Sequence, residues 1–182
     1  MSILDGRQVK IQILKELKEK LLKLNESIGL VVIQIGDDAA SSVYVRQKNK
    51  MATDLNYKFQ HIKLPSNIKE DELLKIIENL NNDDAVDGIL VQMPIPKHLD
   101  ANKVQNSILS CKDVDGLTDI NAGMLVHNKD GLIPCTPMGI IDLLDHYNIP
   151  IEGKNVVIIG RSNLVGKPLA NLMTNKNATV TL

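Results

Sequence analysis

Leu30-Val31-Val32-Ile33-Gln34-Ile35 is apolar except at Gln34 and is closed at once by Gly36-Asp37. A run this short and rich in β-branched residues reads as a strand largely covered on both faces, because a half-wet strand would alternate. The segments after it decide the fold. Residues 41–55 read as a helix, Lys58–Leu64 as a second strand, 69–80 as a helix, and Gly88–Val91 as a third strand entering a loop around Pro94 and Pro96. Strand and helix alternate, which calls for crossover connections and so a parallel sheet. Upstream, Asp5 is placed to cap a helix over Gly6–Leu24, whose Val9, Ile13, Leu17, Leu21 and Leu24 recur at helical spacing and predict an amphipathic cover helix.

Downstream, Asp100 caps a short helix to about residue 109, and a long polar stretch over 110–134 shows little periodicity. Its Leu117, Ile120, Met124 and Leu125 are apolar anchors that a solvated linker would lack, so we expect an ordered functional loop. A helix is expected over 137–147, then strand (155–159), glycine turn, helix (164–175) and the start of another strand (179–182). The expected fold class is α/β with two doubly wound parallel-sheet domains. The first domain is placed over 1–136 and the second, Rossmann-like, begins at 137. Because such a sheet needs several strand–helix units, the second domain is expected to be incomplete within 137–182, as in a C-terminally truncated chain.

Composition narrows the function classes. With 182 residues, 43% hydrophobic and 24% charged, the chain has ordinary globular composition. Its 21 basic and 22 acidic side chains nearly cancel, which argues against a nucleic-acid partner or an acidic membrane surface. The apolar runs are far too short to span a bilayer. One Phe, three Tyr and no Trp leave almost nothing for base stacking. Cys111 and Cys135 form no CxxC pair, and His61, His98, His127 and His146 form no HxxxH group, so no metal is expected. The start, Met1 to Gly6 followed by a charged segment, does not resemble a signal peptide; free thiols and a reducing cytoplasm are expected.

Four segments carry residues suited to chemistry. In the helix after the first strand, Tyr44 and Lys48 are four apart and share a face at the strand's carboxyl end, where open α/β sheets bind ligands. A hydroxyl beside an amine suits acid–base work, since shelter eases loss of the lysine proton. The alternative is a solvated basic face, for Arg46, Lys48 and Lys50 crowd together. In Asp87-Gly88-Ile89-Leu90-Val91-Gln92-Met93-Pro94-Ile95-Pro96, a buried strand delivers Gln92 into a stiffened turn. Its amide either orients a ligand or neighbouring amine, or caps the loop.

In Lys112-Asp113-Val114-Asp115-Gly116, Asp115 could receive paired N–H donors such as those of an amino-pyrimidine, or be a plain turn carboxylate; the rest of a calcium loop is missing. Last, Val156-Val157-Ile158-Ile159-Gly160-Arg161-Ser162-Asn163-Leu164-Val165-Gly166-Lys167-Pro168 is strand, glycine turn and helix start, a suitable anion site. Ser162 stands at the second glycine of GxGxxG and Pro168 breaks the Walker A pattern, so the placement, not the letters, points to a dinucleotide; a plain corner is the alternative. Arg161 could neutralise a 2′-phosphate and favour NADP over NAD.

In this order the YVxxKxK helix, the DGILVQxPxPxH segment, KDVDG continuing to Asn121-Ala122-Gly123, Pro134-Cys135-Thr136-Pro137 and the GRSxxVGxP turn resemble the bifunctional methylenetetrahydrofolate dehydrogenase/methenyltetrahydrofolate cyclohydrolase family. The likeness runs from about Gly6 to Leu182, with a departure at Asn56, where a Gly commonly ends the helix. The resemblance implies a folate site in a cleft between two domains, NADP on the second, tetrahydrofolate derivatives as substrates and a homodimer. It implies that Lys48 is the catalytic residue, Tyr44 flanks the pterin and supports Lys48, Gln92 bonds Lys48 and Asp115 holds the pterin. On the cofactor side it implies Thr136, Gly160, Arg161, Ser162, Val165 and Gly166. The implied reactions are NADP-dependent oxidation of 5,10-methylenetetrahydrofolate and hydrolysis of the methenyl product to 10-formyltetrahydrofolate. The rival expectation is a binding module that closes on folate or nucleotide with little or no turnover.

Overall fold

A computed structural model describes residues 3–24 and 26–182. Its elements are α1 (Gly6–Leu24), β1 (Gly29–Ile35), α2 (Ala39–Asp54), β2 (Lys58–Leu64), α3 (Glu70–Asn81), β3 (Gly88–Val91), α4 (Ala101–Asn106), α5 (Asp119–Val126), α6 (Cys135–His146), β4 (Asn155–Val157), α7 (Gly166–Asn175) and β5 (Thr179–Thr181). They form two compact units, one of Lys20–Val114 and one of the residues up to Glu19 together with Asp115–Leu182. In α1 the Arg7 N–H donates to Asp5 Oδ1 at 2.9 Å, and Val9 is buried, while Leu24 at the far end of the expected stripe is exposed.

The unit over Lys20–Val114 is built on a parallel sheet ordered β2-β1-β3. β1 is central and pairs from Gly29↔Lys58 to Ile35↔Leu64 on one side and from Leu30↔Gly88 to Ile33↔Val91 on the other. Its alternation assigns the two faces. Val31, Ile33 and Ile35 pack with Leu73 and Ile77 of α3, Ile89 and Val91 of β3 and Val104 of α4. Val32 packs on the opposite side with Val45 of α2 and Leu90 of β3. Helices therefore cover both faces of β1, which explains why its sequence is apolar without alternation. Leu73 and Ile77 are fully buried, each contributing about 1.5–3 kcal/mol of transfer free energy.

The other unit packs Leu125 of α5, Ile141 of α6 and Leu169, Leu172 and Met173 of α7 around Ile151, beside the parallel pair β4-β5. Here the structure departs from the sequence expectation. The stretch expected as a long loop contains α5, capped by Thr118, whose side chain accepts from the Asn121 N–H. Leu125 and the partly buried Ile133 join the cluster of α6 and α7, so by packing residues 115–136 go with the segment after them. Helix α5 is one of the shortest, and its apolar residues cluster without a clear period, which hid it. Strand β4 ends at Val157, two residues before the expected end: Val157 pairs with Thr181, the Ile158 N–H donates once more to the Thr181 carbonyl, and Ile159 is fully exposed.

Four helices hand over to an asparagine in the left-handed region: Asn56 (φ 59°), Asn128 (50°), Asn148 (53°) and Asn177 (63°). Asparagine tolerates that backbone better than other non-glycine residues, which accounts for Asn56 in place of a glycine.

Candidate functional site

Helix α2 begins where β1 ends. The Asp38 carboxylate accepts from the Ser41 N–H at 2.7 Å, and this backbone bond above all holds its pKa below the ordinary aspartate range. Four residues apart on the helix, Tyr44 is 58% exposed and Lys48 is half-buried. Among the described residues no hydrogen bond joins Tyr44 to Lys48; they share a face only.

The partner of Lys48 comes from β3. The Gln92 N–H donates to Ile33 at 2.8 Å, extending the sheet one residue past Val91 and fixing where the Gln92 side chain starts. Lys48 Nζ donates to Gln92 Oε1 at 2.8 Å, and Gln92 Nε2 donates to the Met93 carbonyl at 2.8 Å. Both ends of the amide are thus occupied. An amine held by a neutral acceptor at the carboxyl edge of a parallel sheet can shuttle a proton to and from water beside a bound ligand.

Sequence reasoning missed a second polar tier beneath α2. Gln34 is 2% exposed on the α2 side of β1 and donates to Ser42 Oγ at 3.0 Å, while its Oε1 lies 3.1 Å from His61 Nε2 of β2. The signal was present, since Gln34 is the one polar residue in the apolar run and a buried amide must find partners.

Asp115 begins the other unit. After it, Gly116 adopts φ +63°, and a Cβ there would press on the backbone of Leu132, Ile133 and Pro134 at 2.6–2.8 Å. That close approach, with the Leu132 N–H donating to Asn121 Oδ1 at 3.2 Å, brings Cys135 alongside: its Sγ lies 3.9 Å from Asp115 Oδ1. Thr136 is exposed on α6.

In the turn from β4 to α7, Gly160 has φ +137°, with no atom within 4 Å of where a Cβ would stand, so a ligand can approach its backbone. A Cβ on Gly166 would collide with the Gly160 carbonyl. Ser162 closes the loop, accepting from the Val165 N–H on Oγ (3.1 Å) and from the Lys167 N–H on its carbonyl (3.0 Å). Arg161 and Ser162 are exposed at the turn. Open backbone at 160 and an exposed guanidinium suit a phosphate-bearing dinucleotide.

A parallel sheet with a lysine–glutamine pair at its edge, and a strand–glycine turn–helix corner, define an α/β protein of the dinucleotide-binding kind. The comparisons are specific. Residues 4–115 match the tetrahydrofolate dehydrogenase/cyclohydrolase catalytic domain, and residues 134–182 match the NAD(P)-binding domain of the same family. The chain belongs to the tetrahydrofolate dehydrogenase/cyclohydrolase family. It is 48% identical over 184 residues to the bifunctional protein FolD of Ligilactobacillus salivarius, covering 100% of this chain and 65% of that one. The chain thus spans about 65% of the length of the curated relatives it matches. The solved structure of the bifunctional FolD methylenetetrahydrofolate dehydrogenase/cyclohydrolase of Campylobacter jejuni superposes with a TM-score of 0.97 at 44% identity, over 100% of this chain and 66% of that one. A Trypanosoma brucei methylenetetrahydrofolate dehydrogenase-cyclohydrolase, solved with NADP and an inhibitor, gives 0.93 at 34% identity, over 99% and 63%. Among the described residues no helix is long and apolar enough to cross a membrane.

Proposed function

We propose that the protein oxidises 5,10-methylenetetrahydrofolate to the methenyl cation with NADP and hydrolyses that cation to 10-formyltetrahydrofolate. The carrying observation is the Lys48–Gln92 bond at the carboxyl edge of the sheet. In the hydrolysis, water adds to the cationic carbon and gives up a proton. The carbon–N5 bond then breaks as the adduct's hydroxyl loses its proton to become the formyl C=O, N5 takes a proton, and the formyl group stays on N10, with one proton released to solvent overall. Lys48 accepts the proton from water and returns one to N5, while Gln92 fixes where the amine stands. Tyr44 flanks the pterin, and Asp115 takes the pair of N–H donors on its amino-pyrimidine edge.

NADP, when bound, supplies the hydride acceptor. Gly160 lets it approach the backbone, Gly166 keeps the turn tight, Ser162 and Arg161 offer a hydroxyl and a cation to its phosphates, and Thr136 and Val165 complete the contact. Oxidation then needs chiefly the alignment of two flat rings. The domain division belongs to the same reading as a functional one, a folate-binding catalytic domain over 1–136 and an NADP-binding domain from 137, with residues 115–136 serving the first while packing with the second. So do a homodimer in the cytoplasm and a place in one-carbon metabolism. Cys111 and Cys135 are exposed and not joined in a disulfide, which suits a reducing compartment.

Steady-state assay of both reactions on the whole protein tests the proposal. Methenyl formation with NADP followed by formyl release is expected; folate and NADP binding with neither turnover would leave a binding module instead.

A further inference from the structure

The Gln92 amide has two orientations of nearly equal shape, and only one offers an oxygen to Lys48. The Met93 carbonyl makes the choice. A carbonyl can only accept, so it draws Nε2 toward itself at 2.8 Å and leaves Oε1 for the lysine. The same carbonyl accepts a second hydrogen bond, from Ser41 Oγ at 3.3 Å. Ser41 is 4% exposed, its N–H is taken by Asp38 Oδ1 at 2.7 Å, and it lies one turn before Val45, which packs on Leu90 of β3. The hydroxyl therefore reaches Met93 from a residue fixed at its backbone and closely packed.

We propose that Ser41 is a positioning residue for the Lys48–Gln92 pair, acting through the Met93 carbonyl. Ser41 does not touch the reacting atoms. It holds the carbonyl in the direction that selects the Gln92 orientation, so the amine of Lys48 meets an acceptor in one place instead of wandering. The role in turnover rests on the proposed cyclohydrolase reading; the orientation of the amide does not.

The test compares Ser41→Thr with Ser41→Val in the whole protein, because the two replacements share a shape and differ only in the hydroxyl. For methenyl hydrolysis, Thr should stay within about twofold of the parent, while Val should lose about tenfold in kcat with KM unchanged, a loss of the size of one hydrogen bond. In a Gln92→Ala background Thr and Val should be indistinguishable. Equal kcat for Thr and Val, or a Val defect that persists in full without Gln92, overturns the proposal. If the extra methyl prevents folding, Ser41→Ala replaces Val and is compared with the parent. The side-chain amide resonances of Gln92 in ¹⁵N-labelled protein give a readout free of turnover: they should shift in Val or Ala and not in Thr. Should the whole protein hydrolyse nothing, the functional reading fails, and these resonances alone decide the inference, unchanged positions in Val and Ala counting against it.

Discussion

Gly166 stands against the carbonyl of Gly160, backbone to backbone, with no room for a Cβ between them. Helix α7 can start where it does only because residue 166 has no side chain. We expect Gly166→Ala to push the turn open, weaken NADP binding at least tenfold, and leave the Lys48–Gln92 unit intact. Calorimetric titration with NADP checks it, and unchanged affinity would mean that the turn does not hold the cofactor.

Lys48→Met keeps most of the apolar stem and deletes the amine. Hydride transfer between aligned rings needs no proton acceptor, whereas water addition does, at roughly 10² to 10⁴ in rate for a positioned base. The variant should accumulate the methenyl compound while still forming it. Stopped-flow absorbance resolves the two phases, and wild-type decay of the methenyl signal would remove Lys48 from the chemistry.

Asp115→Ala should raise the folate dissociation constant by a factor corresponding to ~1.5–3 kcal/mol, the worth of a charge-assisted hydrogen-bonded pair, with little change in NADP affinity. Fluorescence or calorimetric titration of both ligands distinguishes this from a turn residue, whose loss would leave both affinities alone.

Acid should act on two carboxyls in opposite directions. The hydrogen bond from Lys103 (2.6 Å), then the Asp100 N–H, hold the Glu70 pKa below the ordinary glutamate range. A depressed carboxyl contributes stability that is present above its unfolded pKa and lost as pH falls through its folded one, below about pH 4. On α6, desolvation and the nearby Asp145 raise the Asp142 pKa, so its ionised form weighs against the fold and the penalty lifts on acidification. Glu70→Gln should therefore lower the Tm at pH 7 and cease to matter near pH 3, whereas Asp142→Asn should raise the Tm at pH 7 and lose that gain in acid. Melting curves across pH 3–8 decide both, and Tm shifts independent of pH would show that neither effect is electrostatic.

Much of the fold was legible because it is local. The apolar run at 30–35, the helical spacing of α3 and the turn residues after each element matched Gly29–Ile35, Glu70–Asn81 and Lys58–Leu64 to within a residue or so. Helix α5 was not legible. Its cap, Thr118, and its anchor, Leu125, take their meaning from Ile141 and Leu169, which lie far along the chain. The start of α7 at Gly166 instead of 164 came from the Ser162 turn capturing the Val165 and Lys167 N–H groups, a competition that helix propensity does not express.

By itself the sequence determined which residues could do chemistry, since the amine, the amide, the carboxylate and the glycine turn are fixed by residue type and by their place after a strand. It also determined that the strands are parallel, because each is followed by a helix. Only the tertiary structure decided which of these groups meet. Lys48 and Gln92 are 44 residues apart and come within hydrogen-bonding distance because β1 lies between β2 and β3 and sets the register of Gln92 against Ile33. The direction of the Gln92 amide was decided by the carbonyl of the next residue, Met93, which also accepts from Ser41 on the helix that carries Lys48. A side chain's partners are a property of packing, which composition and spacing leave free.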